Sequence, residues 1–156
     1  MSARQLAVNR SLVVGLGVAA FLFAGCAGMS GGKAPVQLSG SQQVPPVTTS
    51  ASGTADILIS PSKCHTATTG LWCTGVTGTV TTSGVTAAAA HIHQGKTGQN
   101  GPPIITLTKT SDNTWTVPPF TFLSDAQYIA WVDGDLYVNV HSAANPGGEI
   151  RAQLKP

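Results

Sequence analysis

Charge is scarce in this chain. Of 156 residues, eight are Lys or Arg and six are Asp or Glu. No stretch is rich in basic residues, so nothing marks a surface for nucleic acid. Aromatic residues make up only 6% of the chain, and methionine appears twice, as Met1 and Met29. A thioether ligand is therefore not obviously on offer to a folded domain. No internal repeat is evident. No Ser/His/Asp set and no pair of carboxylates is arranged by spacing, so the sequence is not read as an enzyme. The longest apolar run, residues 11–23, falls short of the roughly twenty residues of a comfortable membrane span.

That run has its own meaning. Residues 1–10 carry Arg4 and Arg10 and no acid. A basic start, a short apolar stretch and small residues before a cut site describe an export signal. Phe23-Ala24-Gly25-Cys26 resembles the lipobox of bacterial lipoproteins, with Phe23 where that motif usually has Leu. The resemblance implies cleavage before Cys26 and a lipid on its sulfur. Buried acyl chains contribute about 0.8 kcal/mol per methylene, so such an anchor holds firmly. Ala27 follows the cysteine, and the absence of Asp there implies the outer membrane. The expected division is a signal at 1–25, a Gly-rich flexible tether at 26–35 and one domain at 36–156. Without the signal, six basic residues face six acids, and net charge is near zero.

Two cysteines remain, Cys64 and Cys73. An even pair in an exported protein reads as a disulfide. Closing so short a loop stabilises by roughly 2.5–3 kcal/mol in the chain-entropy account. The alternative is a metal site formed by these thiols with His65.

The rest of the chain is dense in Thr, Val, Ile, Ala, Gly and Pro, a composition of short strands and tight turns. Strands are expected at 54–59, ending at Pro61, and at 71–80, where Gly75 and Gly78 suggest bulges or close packing. Further strands are expected at 85–93, 104–108, 114–117, 136–141 and 149–154. Ser124-Asp125-Ala126-Gln127 has the form of a capping box. It should open one short helix with Ala126, Ile129 and Ala130 as its apolar face, ended by Asp133-Gly134-Asp135. Such a pattern predicts an all-β fold, a β-sandwich with one short helix. Trp115 and Trp131 read as core or boundary aromatics. Glu149 and Arg151 read as a surface pair of little energetic weight.

Histidine supplies the main functional signal. Strand residues two apart share a face, so His91 and His93 project together. Ala88, Ala90 and Ile92 oppose them. On the later strand Leu136, Val138 and Val140 form the apolar face, and Tyr137, Asn139 and His141 the other. All three histidines should therefore point away from the hydrophobic core, to an outer sheet face or strand end. If the two strands are neighbours, three imidazoles can converge on one metal ion. With an open fourth position they could hold Cu(I), Cu(II) or Zn(II), and His65 is a possible extra ligand. Alternatively, the histidines are solvated or hydrogen-bonded to Tyr137 and Asn139 without any metal. The loop at 94–103 reads equally as a turn or as a cover for the site.

Four segments together resemble a known family. They are Leu38-Ser39-Gly40-Ser41-Gln42-Gln43-Val44-Pro45-Pro46-Val47, Ala90-His91-Ile92-His93-Gln94-Gly95 with Asn100-Gly101-Pro102, Leu123-Ser124-Asp125-Ala126-Gln127, and the closing Leu136-Tyr137-Val138-Asn139-Val140-His141 through Asn145-Pro146-Gly147-Gly148-Glu149-Ile150-Arg151. They resemble the CHRD family, named for the domain repeated in chordin, with Gln43 where Glu is frequent. The resemblance implies a Greek-key β-sandwich of immunoglobulin-like or superoxide-dismutase-like form and no assured activity. Bacterial members are exported, and some are linked to copper, which makes copper the implied ligand and zinc the other candidate. The expected function is thus extracytoplasmic copper handling through His91, His93 and His141. A metal-independent protein-interaction module at the cell envelope is the alternative. A superoxide-dismutase-like redox site is a second alternative. The bridging histidine and second histidine-rich loop of such enzymes are not apparent, and Arg151 is the sole arginine after the signal.

Overall fold

The protein is described by a computed structural model over residues 34–63 and 72–156. Strands dominate it. In chain order they are β1 (Val36–Ser39), β2 (Ser52–Lys63), β3 (Trp72–Ser83), β4 (Ala87–Gln94), β5 (Pro103–Thr106), β6 (Thr108–Ser111), β7 (Thr114–Thr116), β8 (Phe122–Leu123), β9 (Leu136–Ser142) and β10 (Ile150–Gln153). One helix, α1 (Asp125–Val132), precedes β9, and a 3-10 turn at Gly40–Gln42 follows β1. Cys26, Cys64 and His65 lie outside the described residues. The lipid site, the Cys64–Cys73 bridge and the extra ligand therefore have no structural account, although Cys73 itself sits in β3.

The strands pair antiparallel along one path, β5-β4-β9-β10-β1-β2-β3-β7-β6, with β8 also on β3. Neighbours in sequence are not always neighbours in space. β3 leads to β4 at the far side of the path, and β9 and β10 return to lie between β4 and β1. Apolar residues from both ends of the path share one core: Val76 and Val80 of β3, Ile92 of β4, and Val138 and Val140 of β9. The sheet therefore curls over on itself into a β-sandwich, and burial of these side chains drives it at roughly 1.5–3 kcal/mol each. Trp115 lies in this core, and Trp131 packs at its edge.

Several local expectations need correction. β2 does not stop at Pro61 but pairs with β3 as far as Lys63. β1 pairs only with Ser52 to Ala55 of β2. Beyond Ala55 no strand pairs with the β1 side of β2 among the described residues, so a residue without an N–H is tolerated there. Gly75 and Gly78 do not produce bulges, since the β2–β3 register runs without a break. Gly78 instead has φ +133, and a Cβ there would run into the Asp56 carbonyl. Close packing is its role.

α1 has the expected capping box, with Gln127 N donating to Ser124 Oγ and Ser124 N donating to Gln127 Oε1. Its expected apolar face is mostly not buried, however. Only Ala130 is in the core, whereas Ala126 is exposed and Ile129 is 60% exposed. One turn of contact suffices because Trp131 also packs on the core. In β4, Ala88 is exposed and does not share the inner face with Ala90 and Ile92. The register with β9 shifts between Ala87 and Ala89, which reverses the alternation at that point.

Candidate metal site on the second face of the sheet

β4 and β9 are adjacent and antiparallel, which is the condition for convergence. His91 stands opposite Asn139, His93 opposite Tyr137, and His141 opposite Ala89. His141 is thus the diagonal neighbour of His91, within reach for a ring side chain. The small Ala89 leaves space beside it. One nitrogen from each of His91, His93 and His141 lies within 4.8 Å of the other two. Ring centroids are 4.9 Å apart for His91 and His141, 5.6 Å for His91 and His93, and 5.8 Å for His93 and His141.

Hydrogen bonds define which nitrogens are free. His93 Nδ1 lies 2.9 Å from the Gly101 carbonyl oxygen, and His141 Nδ1 lies 2.9 Å from that of Pro146. A carbonyl oxygen only accepts, so both Nδ1 atoms carry the proton. In the neutral rings each Nε2 then has a lone pair. His141 Nε2 accepts from His91 Nδ1 at 3.0 Å. His93 Nε2 is buried and has no hydrogen-bond partner. Burial lowers the pKa of His91 and of His93 from the usual 6.5. The nearby His141 adds to the effect at both, and the bond to Gly101 partly offsets it at His93. Neutral imidazole is the form that ligates a metal.

The spacing also suits an ion. Two nitrogens at about 2.0–2.1 Å from one metal, with an angle of roughly 90–110° between them, lie about 2.9–3.4 Å apart. The His91–His141 separation falls in that interval. The widest separation exceeds it, so ring rotation would have to close the set around an ion. Anchoring of the distal nitrogen by a backbone carbonyl, as at His93 and His141, is the arrangement that orients histidine ligands in metal sites.

The outer face of this sheet is not a solvated surface. His93, Tyr137, Asn139, Glu149 and Arg151 are all buried. The segments at 40–49, 94–102 and 143–149 fold over the face and form a second, polar interior. The 94–103 loop is a cover: Gly101 N donates to Tyr137 Oη, and Tyr137 Oη donates to Gly101 O. Gly101 passes so close to Gln94 that a Cβ would collide with its carbonyl. Asn100 Nδ2 ties the loop to Val44 O at 2.6 Å.

Glu149 and Arg151 are not the expected surface pair. Arg151 is 1% exposed. Its guanidinium lies 3.6 Å above the Tyr137 ring and bonds Asn100, Gln153 and the Lys96 carbonyl. Glu149 accepts from Thr49 Oγ1, and side-chain hydrogen bonds from Ser142 and Thr49 hold its carboxyl below the usual range. Strand alternation put the two on one face correctly, but it could not reveal the loops that cover that face.

Tyr137 and Asn139 do not hydrogen-bond to the histidines. The Tyr137 ring stacks on His93 at 4.9 Å and 17°, and Asn139 accepts from Gln43 Nε2 at 2.7 Å. Gly101 and Pro146 are the supporting residues that sequence reasoning missed, and Tyr137, expected as a hydrogen-bond partner, supports His93 by stacking instead. Their place in the motifs was the available signal, but their contacts depend on loop paths.

Fold and site define a class: an antiparallel β-sandwich with a three-histidine cluster, buried at His93 and half-buried at His91 and His141, on its second face. The chain belongs to the CHRD domain family, whose family model matches residues 34–154. No curated protein and no solved structure in the comparisons matches it.

Proposed function

We propose that this chain is an exported, lipid-anchored CHRD-domain protein that binds copper through His91, His93 and His141 and handles it outside the cytoplasm, by storage, buffering or delivery. The observation that carries the metal reading is His93. Its Nδ1 is anchored to Gly101, and its buried Nε2 has no partner within the cluster. A buried polar atom without a partner costs about 1–3 kcal/mol, and a metal ion would satisfy it. His93 Nε2 and His141 Nε2 offer an ion lone pairs, and His91 Nδ1 adds a third once it gives up the proton it shares with His141. Imidazole suits copper and zinc alike, and the family resemblance is what favours copper. Envelope localisation rests on the lipobox at Cys26, and a Cys64–Cys73 bridge, proposed from the sequence, would fit an oxidising compartment.

Binding and not turnover is the proposed task. Arg151, the sole arginine after the signal, is held over the Tyr137 ring and by hydrogen bonds to Asn100, Gln153 and the Lys96 carbonyl.

Metal analysis tests this reading. Protein purified from its native envelope should carry copper, and metal-free protein should take up about one copper ion per chain with three histidine ligands. A His91→Ala/His93→Ala variant should lose that uptake. Zinc in the native sample would change the metal and keep the site. Unchanged uptake by the variant would place the site elsewhere. No uptake by the wild type would leave the metal-independent interaction module as the reading.

A further inference from the structure

Arg151 poses a problem that the histidine cluster does not solve. It is among the most deeply buried large side chains of the protein. A buried guanidinium is normally matched by a carboxylate, because an unpaired interior charge is costly. Among the described residues Arg151 has none. Its three hydrogen bonds go to neutral oxygens: Asn100 Oδ1 at 3.4 Å, the Lys96 carbonyl at 3.2 Å and Gln153 Oε1 at 3.1 Å. A guanidinium has five N–H donors, so two are left without a partner among the described residues.

Beside this cation is a cavity of about 220 Å³. It lies between the 3-10 turn after β1 and the tip of the 94–103 loop, with Ser41, Gln42 and Gln43 on one side and Thr97 on the other. Val44 supplies an apolar patch, and Arg151 lines the cavity together with Gln153. None of the lining residues is acidic, and none is a second cation. None of the three histidines lines this cavity, although the Arg151 charge is close enough to act on His93.

We infer that this cavity is a binding site for a small monovalent carboxylate, held by the Arg151 guanidinium with hydroxyl and amide donors around it. Charge count selects the class. One buried positive charge is neutralised by one carboxylate. A phosphate dianion would bring a second negative charge that no lining residue offsets. Amide and hydroxyl side chains can donate to carboxylate oxygens without altering that balance. Val44 fits a short alkyl group. The site is independent of the copper reading, because it needs no metal and uses none of the three histidines.

The test uses the purified metal-free protein with a chelator present and acetate as the probe, at constant ionic strength against chloride. The Arg151 Nε–H resonance, assigned by its disappearance in Arg151→Lys, should shift with acetate and saturate. The Tm should rise with the same saturation. Chloride at equal concentration should give neither effect, and phosphate should give less than acetate. A Ser41→Phe variant, altered at an exposed position on the mouth, keeps the test valid if Arg151→Lys fails to fold. It should retain the wild-type spectrum and lose most of the acetate response. A linear response shared by acetate and chloride would overturn the proposal, as would an undiminished response in Ser41→Phe. An equal or larger phosphate effect would overturn the monovalent carboxylate assignment.

Discussion

His91 Nδ1 and His141 Nε2 lie 3.0 Å apart and share one proton between adjacent strands. A metal bound at His141 Nε2 has to take the place of that proton. Metal-free protein should therefore show a protected His91 Nδ1–H signal in imidazole proton–nitrogen spectra. Adding Cu(I) or Zn(II) should abolish it and leave the Nδ1–H signals of His93 and His141 in place, since those two face carbonyl oxygens. Retention of the His91 signal at full metal loading would contradict this set of ligand atoms.

Tyr137 should matter for the site without being a ligand. Its hydroxyl bonds Gly101, whose carbonyl anchors His93. Tyr137→Phe removes the hydroxyl and keeps the ring that stacks on His93. Loss of such a supporting bond typically weakens metal affinity about 10–100-fold. Competition against a chelator of known affinity measures it, and an unchanged affinity would show that the loop holds Gly101 without Tyr137.

Acid should destabilise the metal-free domain through the same histidines. Burial lowers the folded-state pKa of His91 and His93 below 6.5. Below about 6.5 the unfolded chain then binds more protons than the folded one. The stability from these groups is complete above that pH and is lost as pH falls through the folded values. Urea midpoints measured from pH 7.5 to pH 5 should fall, and a His91→Gln/His93→Gln variant should fall less over the same interval. Equal pH slopes would assign the loss to other groups.

Fold and site can be separated at Ile92, which is fully buried between the two histidines. Ile92→Val should cost roughly 0.5–1.5 kcal/mol in denaturant unfolding. It should leave metal stoichiometry unchanged, because the side chain points to the opposite face.

The helix cap offers a local test. Ser124→Ala removes the bond from Gln127 N. It should lower stability by about 1 kcal/mol without changing metal uptake, because α1 does not contribute to the cluster.

Much of this was legible before the fold was known. The capping box at Ser124 and Gln127 is a local signature, and the structure has both of its bonds. Alternation in β9 and β10 correctly placed Val138, Val140, Ile150 and Ala152 in the core. The Ala88 expectation failed because a register shift against β9 is a property of the pair and not of β4 alone. Pro61 misled for a similar reason: its effect depends on how far β1 extends beside it.

The sequence by itself determined that His91 and His93 share a face, since a strand alternates whatever it pairs with. It also determined the composition of the two faces and the cap of the helix. Only the tertiary structure decided that His141 joins them, because that required β9 beside β4 in one particular register. It also decided that the polar face is an interior. Loops from three distant segments cover it, bury Arg151 over Tyr137 and leave His93 Nε2 without a partner. Local periodicity fixes where a side chain points, and long-range pairing fixes what it meets.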